Sequence, residues 1–250
     1  MTTPLPKLTL NNGVQFPNLG YGTGLLTDAE QLKKCLAVAI ESGYRNIDTA
    51  QMYANEHIIG EFLDENIKSG KLKREDVFIT TKLAFFYHQP EEAEKSIEES
   101  LRKLKTDYID CFLIHWPSPL KPAPEPGTSF QDYFAKLAKG EVEFDLTPHI
   151  ETWKVLEKFY KQGVFKAIGI SNFNEKQIQD LYEKAEIKPQ NLQRGIAVVP
   201  KSGNLERIRS NQQVFDFELT NEEMEKFKGI KGEKKIFDLE ILKNHPYYPF

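Results

Sequence analysis

The chain has 250 residues, 40% of them hydrophobic, and a formal net charge of -4 at neutral pH. That supplies apolar material for one core or at most two. It gives no electrostatic reason to bind nucleic acid or an anionic membrane surface. No run is long enough to cross a bilayer, and the opening Met1-Thr2-Thr3-Pro4-Leu5-Pro6 has neither the basic nor the apolar region of a leader. The expectation is a soluble cytoplasmic protein. The only cysteines, Cys35 and Cys111, sit inside a helical and a strand pattern. Buried free thiols are expected there, with no disulfide and no metal site.

Residues 8–16 alternate around Asn12-Gly13, a hairpin-turn pair. The periodicity then switches between strand and helix repeatedly. A strand at 16–20 precedes a helix at 28–42, which Asp28 caps and Gly43 stops. Strand 44–48 precedes helix 55–68. Strand 77–82 precedes helix 90–104, where Pro90 suits the first turn. Strand 108–115 precedes helix 150–162, strand 165–170 precedes helix 174–185, and strand 195–200 precedes helix 204–212. A last helix at 220–229 opens on Thr220 with Glu223 three residues on, a capping box. Six βα units of this kind predict an α/β fold on a largely parallel sheet, closed or open. The whole chain, 1–250, reads as a single domain. Residues 117–148, with six prolines at 117, 119, 122, 124, 126 and 148, read as a long loop over the ends of the strands, with a helical turn near 129–138. Residues 230–250 read as a C-terminal tail.

Asp48, Lys82 and His115 close three of these strands, and Tyr53 follows in the connection after Asp48. Chemistry gathered at strand C-terminal ends is how parallel α/β barrels build active sites. Each residue also has a plainer reading. Asp48 with Lys82 would be an ordinary ion pair, His115 a hydrogen-bonded core residue, and Tyr53 surface packing. Lys201 and Arg207 would be solvated charges at a helix start.

In chain order, the motifs resemble the aldo-keto reductase family. They are Leu19-Gly20-Tyr21-Gly22-Thr23; Gly43-Tyr44-Arg45-Asn46-Ile47-Asp48-Thr49-Ala50-Gln51-Met52-Tyr53-Ala54-Asn55-Glu56; Thr80-Thr81-Lys82-Leu83; and Tyr108-Ile109-Asp110 through Leu113-Ile114-His115-Trp116-Pro117. Two more are Gly169-Ile170-Ser171-Asn172-Phe173 and Ala197-Val198-Val199-Pro200-Lys201-Ser202, the latter followed by Arg207-Ile208 and Asn211. Any one is weak, but six in the right order are specific. The resemblance implies a TIM-barrel-type (β/α) fold and NADPH-dependent reduction of a small aldehyde or ketone by a monomer. It implies Tyr53 as proton donor, Lys82 and Asp48 tuning it, and His115 orienting the carbonyl. Trp116 would wall the substrate pocket. Thr23, Ser171, Asn172, Gln193, Lys201, Ser202, Arg207 and Asn211 would hold the cofactor.

The chemistry of the residues agrees. Carbonyl reduction puts a hydride on carbon and a proton on oxygen. A phenol, with an ordinary pKa of about 10, is a sluggish acid at neutral pH, and a neighbouring ammonium favours its phenolate form. No side chain donates hydride, so a nicotinamide cofactor is required. Lys201, Ser202 and Arg207 beside a helix start suit an extra phosphate, and so NADPH over NADH. There is no Gly-x-Gly-x-x-Gly fingerprint after a strand, nucleophile elbow or metal-ligand cluster to support another α/β enzyme class.

The chain departs from the family pattern at Gln193-Arg194. Pro189 to Gln193 looks like the beginning of the family's sixth strand, and Arg194 to Pro200 like the approach to its eighth. About two βα units, roughly 60 residues or more, are missing between them. The sheet would either keep free edges or close through one hybrid strand from Asn191 to Pro200. Gly24 also stands where relatives often have a tryptophan. The second expectation is therefore a catalytically impaired, shortened relative, such as a splice variant, a truncated gene model or a non-enzymatic binding protein.

Overall fold

A computed structural model of the protein describes residues 5–121, 130–190, 197–215, 217–230 and 239–250. The hairpin is present: β1 (Lys7–Thr9) pairs antiparallel with β2 (Gln15–Pro17), and Gly13 supplies the positive φ, 86°, that the turn requires. Residues 16 and 17 thus belong to the hairpin, and the first strand of the main sheet comes later than expected, at β3 (Gly20–Gly22). Its position follows from its glycines. A Cβ on Gly20 would lie 2.8 Å from Asn46 Nδ2, so only a bare backbone can pair this closely beside Asn46.

The main sheet is parallel and runs in the order β3, β4 (Asn46–Asp48), β5 (Phe78–Leu83), β6 (Cys111–Ile114) and, after an excursion holding β7 (Leu120–Lys121) and β8 (Glu143–Phe144), β9 (Ile168–Ile170). Helices follow the strands: α1 (Ala29–Glu41), α2 (Glu56–Lys68), α3 (Pro90–Leu104), α4 (Phe130–Ala138) inside the excursion, α5 (His149–Lys161), α6 (Glu175–Lys184), α7 (Leu205–Asn211) and α8 (Asn221–Lys228). Asp28 caps α1 by accepting from Gln31 N at 2.7 Å, and Thr220 with Glu223 forms the capping box of α8. The core lies between sheet and helices. Ile47, Ile79, Phe112 and Ile168 from the strands pack in one cluster with Leu36, Ile59, Ile97 and Leu156 from the helices. Each such burial stabilises by roughly 1.5–3 kcal/mol. Gly60 permits the close approach of α2 to α3, because a Cβ there would collide with the Lys103 carbonyl.

The N-terminal ends of the strands are tied by Asp110. Its carboxylate meets Arg74 at 2.9 Å and Lys166 at 2.8 Å, and accepts from Ile79 N at 3.0 Å. This leaves the opposite, C-terminal ends to carry the site.

Both outer edges of the sheet are bordered. At β3, Gly20 N donates to Val198 O at 2.9 Å and Gly22 N to Pro200 O at 3.1 Å. At β9, Gln190 N donates to Ile168 O at 2.9 Å, and the Gln190 side chain accepts from Ile168 N at 2.6 Å. The expected strand at 195–200 is reduced in its described part, 197–200, to bridges along β3. Pro200 has no N–H to give, and Val198 and Val199 remain 46% and 37% exposed among the described residues. The seam at Gln193-Arg194 lies outside the described residues.

The stretch expected as a loop, 117–148, is more ordered than that. Besides α4, β7 and β8 form an antiparallel pair. Residues 122–129 lie outside the described residues. The last residues, 239–250, return to this excursion: Ser118 Oγ donates to Tyr247 O at 3.1 Å, and His245 Nε2 meets Pro119 O at 2.8 Å. Cys35 and Cys111 are free and buried. Among the described residues, no helix is long and apolar enough to cross a membrane.

Candidate active site

Parallel register sets the ends of β4, β5 and β6 side by side, stepping on by two residues each time: Asp48 is opposite Thr80, two before Lys82, and Lys82 is opposite Leu113, two before His115. Asp48 ends β4 and His115 follows β6. Tyr53 ends the single 3₁₀ turn Gln51–Tyr53, after which Ala54 at φ 54° swings the chain into α2. The four side chains converge. Lys82 Nζ donates to Asp48 Oδ1 at 2.6 Å and to the Thr49 carbonyl at 2.8 Å. It lies 5.1 Å from the centre of the Tyr53 ring. Tyr53 and His115 meet edge to face, centroids 5.7 Å apart at 80°.

This is not a surface ion pair. Lys82 and His115 are only 7% and 8% exposed, yet both face a cleft of about 980 Å³ together with Asp48, Tyr53 and Trp116. Burial, and then the Lys82 ammonium, push the His115 imidazole down to about 3, so the ring is neutral at physiological pH. His115 Nδ1 is buried with no hydrogen-bond partner among the described residues. Burial pushes the Asp48 carboxyl up, and the Lys82 ammonium acts against that rise.

The cofactor candidates divide. Ser171 and Asn172, on the turn after β9, line the same cleft. Asn172 adopts φ 63° and donates from Nδ2 to the His115 carbonyl at 2.7 Å and to Ser171 Oγ at 3.0 Å, locking that turn to the histidine strand. Lys201 lines the other end, beside Gly22 of β3. Ser202 is buried, and its hydroxyl accepts from Asn204 N at 3.0 Å and Arg207 Nε at 3.4 Å. Thr23 is buried too, its hydroxyl donating to the Asp48 carbonyl at 3.0 Å. Thr23, Ser202, Arg207 and Asn211 are not in the cleft lining, and Gln193 lies outside the described residues. Amide and hydroxyl groups at one end and an ammonium at the other fit a nicotinamide nucleotide in their donor chemistry. Between Asn172 and Lys201, however, no described residue lines the cleft.

Sequence reasoning passed over several contributors. Gln51 staples the tyrosine turn, donating to Ser96 O and Ser100 Oγ at 3.0 Å each and accepting from Ala84 N at 2.8 Å. Glu56, buried beside Lys82's strand, accepts from Thr81 Oγ1 at 2.7 Å and Ser100 Oγ at 3.2 Å. Leu239 and Tyr133 wall the pocket from the tail and α4. Only the place of Gln51 and Glu56 on either side of Tyr53 hinted at a role.

A barrel-type parallel sheet with a tyrosine, lysine, aspartate and histidine at its C-terminal ends defines a proton-transfer site of the carbonyl-reducing kind. The aldo/keto reductase family pattern matches residues 18–194, and the chain belongs to that family. It is 30% identical to aldo-keto reductase family 1 member C18 of Mus musculus and to member C4 of Homo sapiens. Its structure is similar to the aldose reductase of Schistosoma japonicum (TM-score 0.88, 34% identity, 98% of this chain and 99% of that one). It is also similar to a Bombyx mori aldo-keto reductase in complex with NADP (TM-score 0.83, 27% identity, all of both chains). The alignment with the mouse protein runs over 328 positions and takes in 100% of this chain and 99% of the relative. Against 250 residues, 78 of those positions have no counterpart here. Both ends of the relative are matched, so the shortfall is internal.

Proposed function

We propose that the protein reduces aldehydes or ketones to alcohols with NADPH, with Tyr53 as the proton donor. One observation carries the reading. A single ammonium, Lys82 Nζ, is held by Asp48 Oδ1 and Thr49 O while it stands against the Tyr53 ring, with a neutral His115 at that ring's edge. When bound, the cofactor supplies the hydride. The chain's own part is the proton. Tyr53 gives it to the carbonyl oxygen, and the Lys82 ammonium stabilises the phenolate left behind. Asp48 neutralises Lys82 and fixes its direction. His115 presents an uncharged ring, so it orients the carbonyl and stabilises developing negative charge by hydrogen bonding, without adding a second cation. Trp116, Tyr133 and Leu239 give an apolar wall suited to the carbonyl's substituent. Ser171 and Asn172 would hold the carboxamide end of the cofactor, and Lys201, with Ser202 and Arg207 behind it, the phosphate end. The test is titration of NADPH with the purified chain by fluorescence, then turnover of a simple aromatic aldehyde. Binding with no turnover sinks the reading.

A second reading has its own support. No described residue between 172 and 201 in the sequence lines the cleft, and Val198 and Val199 stand exposed beside β3. This is the pattern of a shortened relative with a weakened grip on the cofactor, and it predicts poor NADPH binding in the same titration.

A further inference from the structure

Asn55 occupies the cap position of α2, yet its side chain makes no hydrogen bond to that helix. An asparagine there normally accepts from the helix's first N–H groups, which stabilises by about 0.5–2 kcal/mol. Here the amide turns inward and is fully buried. Nδ2 donates to the Thr23 carbonyl at 2.9 Å and the Leu26 carbonyl at 3.0 Å, and Oδ1 accepts from Thr49 Oγ1 at 2.7 Å.

All these partners belong to the cleft's framework. Thr23 and Leu26 flank Gly24 and Leu25, which line the cleft with Tyr53. A Cβ on Gly24 would stand 3.7 Å from the Tyr53 ring, so this short segment is the wall facing the proton donor. Leu25 holds φ 62° while 82% exposed, a left-handed backbone for an apolar residue in a turn closed by Leu26 N donating to the Thr23 carbonyl at 3.1 Å. Such strain persists only where surrounding contacts over-determine it. The two amide hydrogens of Asn55 bracket that residue. On the other side Thr49, whose hydroxyl is bound to Asn55, provides the carbonyl that is the second anchor of Lys82 at 2.8 Å.

We propose that Asn55 is a positioning residue for this site: its amide clamps the Gly24-Leu25 wall against Tyr53, and through Thr49 it fixes the second anchor of Lys82. The inference rests on the reading of Tyr53 and Lys82 given above. An amide is needed because the task takes two donors and one acceptor from one side chain. Aspartate would turn both donors into acceptors facing carbonyls.

The test uses the full chain with Asn55→Ser and Thr49→Val. Serine can cap α2 but is too short to span the wall. Valine at 49 removes only the hydroxyl link. Amide hydrogen exchange over 23–27 and within α2 is followed alongside kcat and KM for an aromatic aldehyde with NADPH. In Asn55→Ser, exchange over 23–27 should rise by about tenfold or more while the interior of α2 is unchanged. Its kcat should fall by roughly 10- to 100-fold, with a smaller change in aldehyde KM. In Thr49→Val the wall should keep its protection while kcat falls. Unchanged exchange over 23–27 in Asn55→Ser overturns the clamp. So does faster exchange across all of α2 with kcat per folded molecule preserved, the result of a merely structural role. A wild-type chain that reduces no carbonyl counts against the proposed function, and the exchange measurement then still decides the clamp.

Discussion

The Lys82 ammonium lies 5.1 Å from the centre of the Tyr53 ring. Tyr53→Phe keeps that ring and its packing but removes the hydroxyl proposed above as the proton donor. Carbonyl reduction should fall by roughly 10²- to 10⁴-fold, the usual worth of a positioned acid. NADPH affinity should stay nearly the same, because the phenol is not among the groups that would grip the nucleotide. Steady-state rates and fluorescence titration separate the two effects. Retained turnover rules out Tyr53 as the essential acid.

The strand-end residues were legible because a parallel strand fixes where its last residue points. Asp48, Lys82 and His115 lie at or just past the C-terminal ends of three adjacent strands, each two residues beyond the register partner of the one before. Helix ends were legible through caps such as Asp28 and Thr220. What stayed hidden depends on side chains leaving their local structure. Asn55 reads in sequence as an ordinary cap for α2, and only the fold shows its amide spent on Thr23 and Leu26. The first sheet strand was misplaced because Phe16 and Pro17 continue the hairpin's alternation, whereas Gly20 and Gly22 carry no strand propensity and pair only because they are small. The order within 117–148 was masked by its prolines. The pairing of Leu120 with Phe144 is a long-range contact that no local pattern encodes.

Lys201 and Arg207 should distinguish NADPH from NADH. Lys201 lines the cleft, and Arg207 Nε donates to Ser202 Oγ, on the residue next to it, at 3.4 Å. Replacing both with alanine removes two charge-assisted donors, which should weaken NADPH by roughly 10- to 100-fold and NADH far less. Equal weakening of the two nucleotides means these residues do not read the extra phosphate.

The tail should govern substrate choice. Phe250 meets Trp116 edge to face at 6.2 Å, and Trp116 lines the cleft beside His115. Removing residues 247–250 strips that support from the pocket wall. Relative kcat/KM values among aldehydes of different bulk should shift while NADPH affinity holds. An unchanged ranking places the tail outside the specificity wall.

Acid should destabilise the protein partly through His88. Its ring is fully buried, and neither nitrogen has a hydrogen-bond partner among the described residues. Burial above all, and then His149, hold it down to about 3, against about 6.5 for an unfolded histidine. Below pH 6.5 the unfolded chain therefore binds a proton that the folded chain refuses. Stability falls as pH drops from there toward 3. His149 and His245, also depressed by burial, add to the same slope. His88→Leu should flatten the fall in Tm between pH 6.5 and 4. It should leave Tm at pH 7.5 unchanged or higher, because it removes two unpaired buried polar atoms. A steeper fall, or a lower Tm at pH 7.5, contradicts this assignment.

The internal shortfall should show in the protein's physical behaviour more than in its catalytic cluster. Tyr53, Lys82 and His115 are assembled by strands on one side of the gap and do not need the missing block. Apolar side chains do stand exposed in the later part of the chain: Ile178 and Tyr182 on α6 are 42% and 45% exposed, and Phe227 on α8 and Ile230 just after it are 61% and 68% exposed. No residue of α8 is buried. Surface of this kind gathered on one protein binds hydrophobic dyes and favours association. The cofactor also loses whatever the block would contribute between Asn172 and Lys201. We therefore expect dye binding by the native chain, weak NADPH affinity, low turnover, and a lower Tm than a version with the relatives' missing segment restored. Restoring the segment should raise NADPH affinity and Tm together while leaving the effect of Tyr53→Phe the same. A cooperative high-temperature melt with tight, stoichiometric NADPH binding by the 250-residue chain would overturn this, and would mean that the residues bordering β3 and β9 suffice to complete the sheet.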